Sequence, residues 1–243
     1  MGISGHPWVV TALCMVASYF ICGIPFGLIM GKLVDHVDIR RSGSGNIGAT
    51  NAARVGGPLV GGLTLVCDVS KGFICVTASK YIISWVGFGT GIAAVAPGTS
   101  ADVMVALIAL CSIGGHVFSP YLKFHGGKGI AAGLGVLLAL DLRIGLTSLV
   151  GFTIVLLITK YVSAGSITGG VLAPISVQLY IPEATLAYKI IILICAIIVI
   201  VAHHENIKRI INGTESQASI FSKGKKKKDA EGDADDGGSG DGE

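Results

Sequence analysis

Residues 8–30 contain no acidic or basic side chain, and this run is the first of a series. Further apolar segments recur at 58–85, 103–118, 130–140, 144–159, 166–181 and 187–202. A helix needs about 20 predominantly apolar residues to cross the hydrocarbon core, so a chain organised in this way partitions into a bilayer. Mean hydropathy of +0.74 and a charged fraction of only 14% agree. The expected fold is therefore an all-α integral membrane protein with about seven transmembrane helices. Several of the segments are short, which requires either local thinning of the bilayer or completion of the span by adjoining loop residues. The first segment has no Lys or Arg ahead of it and is longer than the apolar region of a signal peptide, so it reads as a permanent span.

Charge sets the orientation. With the N-terminus outside and the C-terminus cytoplasmic, the inner loops hold Lys32, Arg40, Arg41, Arg54, Lys123, Lys128, Lys160, Lys208 and Arg209, and only Lys80, Arg143 and Lys189 flank the outer turns. Residues 1–221 then form a single seven-helix membrane domain. Residues 222–243, a lysine cluster followed by an acidic, glycine-rich stretch, bury nothing and are expected to be a disordered, charged cytoplasmic tail. The six cysteines sit singly in apolar segments with no C-x-x-C pair, which suggests neither a disulfide framework nor a metal site.

Three inner segments are more polar and richer in glycine than a connector requires. The first is GSGNIGATNAAR, residues 43–54, whose G-x-G-x-x-G spacing and later Asp68 imitate a dinucleotide-binding turn. That fingerprint must follow a buried strand, but here the run DHVDIRR precedes it, so the dinucleotide reading fails. The chemistry still suits a phosphate: glycine-rich backbone can aim N–H groups at an anion, Ser44, Asn46 and Asn51 add hydrogen bonds, and Arg54 adds a charged fork. The second segment, GHVFSPYLKFHGGKGIAA, is not a P-loop, because Leu122 and Gly129 stand where a glycine and a hydroxyl residue are needed. It retains a Gly126-Gly127-Lys128 turn opening a helix, a second place for an anion. In the third, HHENIKRIINGTE, His203 and Asn206 share a helical face, and the histidine spacing does not suit a metal. Asp68 and Lys71, three apart inside an apolar segment, read as a structural ion pair. Ser163 and Ser166 can cap the helix that follows them, and Ser166 can equally donate to a phosphate.

In this order the three motifs, with the turn YVSAGSI, closely resemble those of the bacterial acylphosphate-dependent glycerol-3-phosphate acyltransferases, the PlsY family. The resemblance implies an enzyme of the bacterial cytoplasmic membrane, in phospholipid biosynthesis, that moves an acyl group from acyl phosphate to the 1-hydroxyl of glycerol 3-phosphate. The products are lysophosphatidic acid and inorganic phosphate. It implies no cofactor, no metal and no nucleic-acid partner; the partners are the two substrates and membrane lipid. It carries functional roles to Ser44, Arg54, Lys128, Ser166, His203 and Asn206; together with the residue chemistry, Lys128, Ser166 and His203 are expected in catalysis, and Ser44, Gly45, Asn46, Asn51, Arg54, His116, Gly126, Gly127 and Asn206 in substrate binding. Glu215 falls at an acidic position that supports the fold. Ala132 stands where the family often has Thr. The chain lacks a His followed five positions later by Asp, so a substrate phosphate oxygen is the expected proton acceptor, with His203 as the alternative. A membrane anion transporter or channel is the competing reading; it requires inverted repeats and a midplane site open to both sides.

Overall fold

A computed structural model describes residues 5–218; the tail expected at 222–243 lies outside them. The described residues are helical, with no strand. In chain order the helices are α1 (Pro7–Gly23), α2 (Phe26–Val34), α3 (Ala49–Ile82), α4 (Asp102–Val117), α5 (Ile130–Leu140), α6 (Leu142–Thr159), α7 (Val162–Tyr180), α8 (Leu186–Val201) and α9 (His204–Ile211).

One of the expected spans is broken, and a second break falls just ahead of the span expected at 58–85. The first span divides into α1 and α2 at Ile24 and Pro25, since proline has no N–H to continue the helical ladder. Lys71 Nζ, on α3, donates 2.9 Å to the carbonyl of Ile24 at this break and lies 5.5 Å from the ring centroid of Phe26. A charge deep in the protein therefore closes a gap in the backbone. The second break lies at the start of α3. Gly57 has φ 77°, a left-handed conformation that costs glycine nothing and other residues a good deal, and Pro58 follows it. Residues 49–56 thus fold back as a separate helical turn, and Ala53 comes to rest against Gly61. The last residues of the glycine-rich segment are held against the long part of α3 in this way.

Among the described residues, five helices or continuous pairs are long and apolar enough to span a bilayer, or six if α8 and α9, bent by 55°, count together. The difference from seven lies mainly in α5, whose 11 residues rise about 16 Å against a hydrocarbon core of about 30 Å. Strong local apolarity marks the position of this helix without giving it the length of a full span.

The main core runs through the bundle, with Val105 of α4, Ile144 of α6, Val177 of α7, and Tyr188 and Ile192 of α8 buried in it. A smaller cluster of Ile39, Ile47, Ala52 and Val60 underpins the glycine-rich loop. That loop has a hydrophobic foundation of its own, which fixes its shape before any ligand arrives. Many Leu, Ile and Phe side chains face outward, as a lipid-facing surface requires.

Candidate active site

The glycine-rich loop keeps its form through the side chain of Asn51, which is almost fully buried. Its Nδ2 donates 2.7 Å to the Ile39 carbonyl, and its Oδ1 accepts from the Ser44 N–H at 2.9 Å. Asn46 Oδ1 accepts from Gly48 N–H at 2.8 Å, a local turn of the kind asparagine favours. Both amides therefore shape the loop, and Ser44 and Arg54 stand exposed at its edge.

The second loop leans on the end of α4. Gly126 N–H donates to the Val117 carbonyl at 2.9 Å and Gly127 N–H to the His116 carbonyl at 3.1 Å. These two N–H groups, expected to be available to an anion, are thus engaged within the protein. Gly127 is pressed so close to the buried His116 ring that a Cβ there would stand 2.2 Å from Nε2. His116 Nδ1 in turn lies 3.8 Å from Asp68 Oδ1, and Asp68 pairs with Lys71 at 2.7 Å. The pairing of Asp68 with Lys71 is the one its spacing suggests, with His116 as an additional neighbour. The chain then turns at Gly129 into α5, leaving Lys128 half-buried at the helix start.

Glu215 joins the remaining pieces. Its Oε1 accepts from Ser163 Oγ and from Asn206 Nδ2, each at 2.7 Å, and its Oε2 accepts from Arg209 Nε at 2.7 Å. Asn206 Oδ1 accepts from Lys128 Nζ. Burial pushes the Glu215 carboxyl up, but the three donors outweigh it and hold the group below its ordinary value. Burial draws the Lys128 ammonium down, reinforced by Arg209 and Arg54 and opposed by Glu215. His203, in the turn beyond α8, is drawn down by burial; its Nδ1 is 2.8 Å from the Val199 carbonyl. A carbonyl can only accept, so Nδ1 carries the proton and Nε2 is left as a lone-pair acceptor. Ser166 Oγ donates to the Val162 carbonyl at 2.9 Å. Neither serine caps α7, which begins at Val162 after Tyr161; Ser163 is bonded to Glu215 instead.

These groups share one cavity of about 790 Å³. Its wall includes Ser44, Asn46, Asn51, Arg54, His116, Lys128, Ser166, His203 and Asn206; Gly45, Gly126 and Gly127 do not reach it. Ser163, Arg209 and Glu215 reach it without having been assigned to substrate. Spacing held a clue to Arg209, which stands three residues after Asn206 as Asn206 stands three after His203. The rest of the wall is mostly apolar, with Ile113, Leu137, Phe152, Ala173, Ile192 and Val199 leading into the bundle. Among the described residues, no cluster of His, Cys, Asp and Glu suits a metal ion, and the six cysteines are free.

Comparison with known proteins agrees with this arrangement. Residues 12–213 match the family described as glycerol-3-phosphate acyltransferase. A glycerol-3-phosphate acyltransferase of Anaeromyxobacter sp. (strain K) is 36% identical over 212 residues, covering 87% of this chain and 98% of the relative. One from Prochlorococcus marinus (strain MIT 9215) is 37% identical over 205 residues, with 84% and 96% covered. The crystal structure of PlsY (YgiH), an integral membrane glycerol 3-phosphate acyltransferase, in its glycerol 3-phosphate form, superposes with a TM-score of 0.73 at 29% identity, covering 85% of this chain and 94% of that one. With its motifs converging on one cavity and its sequence matched over most of its length, the chain belongs to the glycerol-3-phosphate acyltransferase family.

Proposed function

We propose that this protein transfers a fatty acyl group from acyl phosphate to the 1-hydroxyl of sn-glycerol 3-phosphate, in bacterial phospholipid synthesis. The observation that carries this reading is the cavity itself, which joins a cationic mouth of Arg54, Lys128 and Arg209 to an apolar interior. An acyl phosphate has the same two-part character, and glycerol 3-phosphate brings a second phosphate. Ser44 and Arg54 orient glycerol 3-phosphate. Lys128 faces the donor's phosphate and carbonyl, where charge grows in the transition state, and Ser166 lies on the same wall. The 1-hydroxyl oxygen bonds to the acyl carbon, the bond from that carbon to the phosphate oxygen breaks, and inorganic phosphate leaves. The hydroxyl proton passes to a phosphate oxygen of a substrate, with His203 Nε2 as the alternative acceptor.

Seven crossings complete the topology we infer: α1 with α2 as one, α3, α4, the short α5, α6, α7 and α8. The N-terminus is outside, and the cavity opens to the cytoplasm from the inner membrane of a bacterium. A transporter would require a path past Val105, Ile144, Val177 and Tyr188, which are buried in the core. The deciding experiment supplies purified protein with glycerol 3-phosphate and either palmitoyl phosphate or palmitoyl-CoA. Turnover is expected with the phosphate alone, and equal rates with the thioester would overturn the donor assignment.

A further inference from the structure

Three cations, Arg54, Lys128 and Arg209, and two carboxylates, Asp68 and Glu215, stand on the cavity wall. Asp68 is paired with Lys71 behind the wall. Glu215 alone therefore faces three cations, and the mouth carries an excess positive charge that its own residues leave unbalanced. Arg209 is the one of these three cations to which the resemblance gave no role. Its Nε is engaged with Glu215 Oε2 at 2.7 Å, and Ser163 and Asn206 hold the other oxygen of that carboxylate, so its anchor is fixed from both sides. The Nη1 and Nη2 groups make no hydrogen bond to any described residue, and the side chain is 37% exposed. A guanidinium held at Nε still presents the donors of its outer edge, a planar geometry suited to phosphate oxygens. Asn206 bonds both Glu215 and Lys128, which places Arg209 in the same bonded assembly as Lys128.

We propose that Arg209 is a further substrate-binding residue, gripping the phosphate of the acyl phosphate together with Lys128. The proposal rests on the acyl-transfer reading above. It is tested by steady-state kinetics of Arg209→Lys and Arg209→Gln, varying palmitoyl phosphate and glycerol 3-phosphate in turn. Both variants are expected to raise KM for palmitoyl phosphate about tenfold, since lysine keeps the charge but loses the fork, and to leave KM for glycerol 3-phosphate within about twofold. Inorganic phosphate, as an inhibitor competing with palmitoyl phosphate, is expected to weaken by a similar factor. An increase confined to glycerol 3-phosphate, or unchanged constants in both variants, would overturn the proposal. So would loss of a monodisperse folded species in both, since Arg209 would then be a prop for Glu215 alone. If only the glutamine variant fails to fold, the lysine variant decides. Wild-type protein that does not use palmitoyl phosphate would instead defeat the acyl-transfer reading, so the two failures are distinct.

Discussion

Lys128 donates its ammonium to the side-chain oxygen of Asn206, which lies 78 positions later in the chain. This bond ties the second loop to the last helix, and through Glu215 to the start of α7. Lys128→Ala removes both the tie and the positive charge facing the donor. Turnover is expected to fall by about two orders of magnitude at saturating glycerol 3-phosphate, corresponding to about 3 kcal/mol of lost transition-state stabilisation. Near-normal turnover in a folded, membrane-inserted variant would reduce Lys128 to an interfacial anchor.

Arg54 is exposed at the edge of the first loop and lines the cavity. Replacement by lysine keeps the charge and discards the bidentate fork, so Arg54→Lys should raise KM for glycerol 3-phosphate by about tenfold or more. Varying each substrate in turn checks this; an increase confined to the acyl phosphate would exchange the roles assigned to the two ends of the mouth.

Burial and the neighbouring guanidinium groups depress Lys128, so its charged form is lost at lower pH than that of an ordinary lysine at 10.5. With the ammonium proposed as the active form, kcat/KM should fall as pH rises through this lowered value. Lys128→Arg, whose charge persists, should lose this alkaline limb whatever its absolute rate. Initial rates corrected for spontaneous hydrolysis of the acyl phosphate measure it, and an identical limb in the arginine variant would exclude Lys128 as its source.

Glu215 lies below its ordinary value of 4.5, so it favours folding above that pH, and the contribution disappears as pH falls through the lower folded value. Glu215→Gln should flatten the acid side of a plot of thermal midpoint against pH. An unchanged acid slope would place the acid sensitivity elsewhere.

Gly127 touches the His116 ring, and an added methyl at 2.2 Å from Nε2 must displace something. Gly127→Ala should destabilise the protein by about 1–3 kcal/mol, the usual cost of overpacking. His116→Ala in the same chain should recover part of the loss. Strictly additive midpoints across the four proteins would deny the contact.

The polar motifs were readable because phosphate chemistry draws on few residue types, and Ser44, Arg54, Lys128, His203 and Asn206 do line one cavity. What spacing could not convey was which donors the protein itself uses. The Gly126 and Gly127 N–H groups and the Asn51 amide look available in sequence, but the fold engages them. Helix ends were legible wherever apolarity stopped, as at Leu140 and Thr159. The break at Pro25 was harder to place, since a proline inside an apolar run is compatible with a kink or a stop. Its outcome depends on Lys71, 47 positions away from Ile24.

The brevity of α5 gives its preceding loop a task. Its far end, at Ala139 and Leu140, is held by Lys80 near the close of α3, and Asp141 leads directly into the 18 residues of α6. α5 climbs about 16 Å from that end, against about 28 Å for the 19 residues of α7. The loop before α5 follows where the helix stops short, and Lys128 within it reaches Asn206. That polar loop is thereby part of the cavity wall, beside the apolar Ile130 and Leu134 of α5. A helix too short to span thus brings one ammonium to the border between the polar and apolar parts of a single wall, where an anion from water and a chain from lipid have the same residues in common.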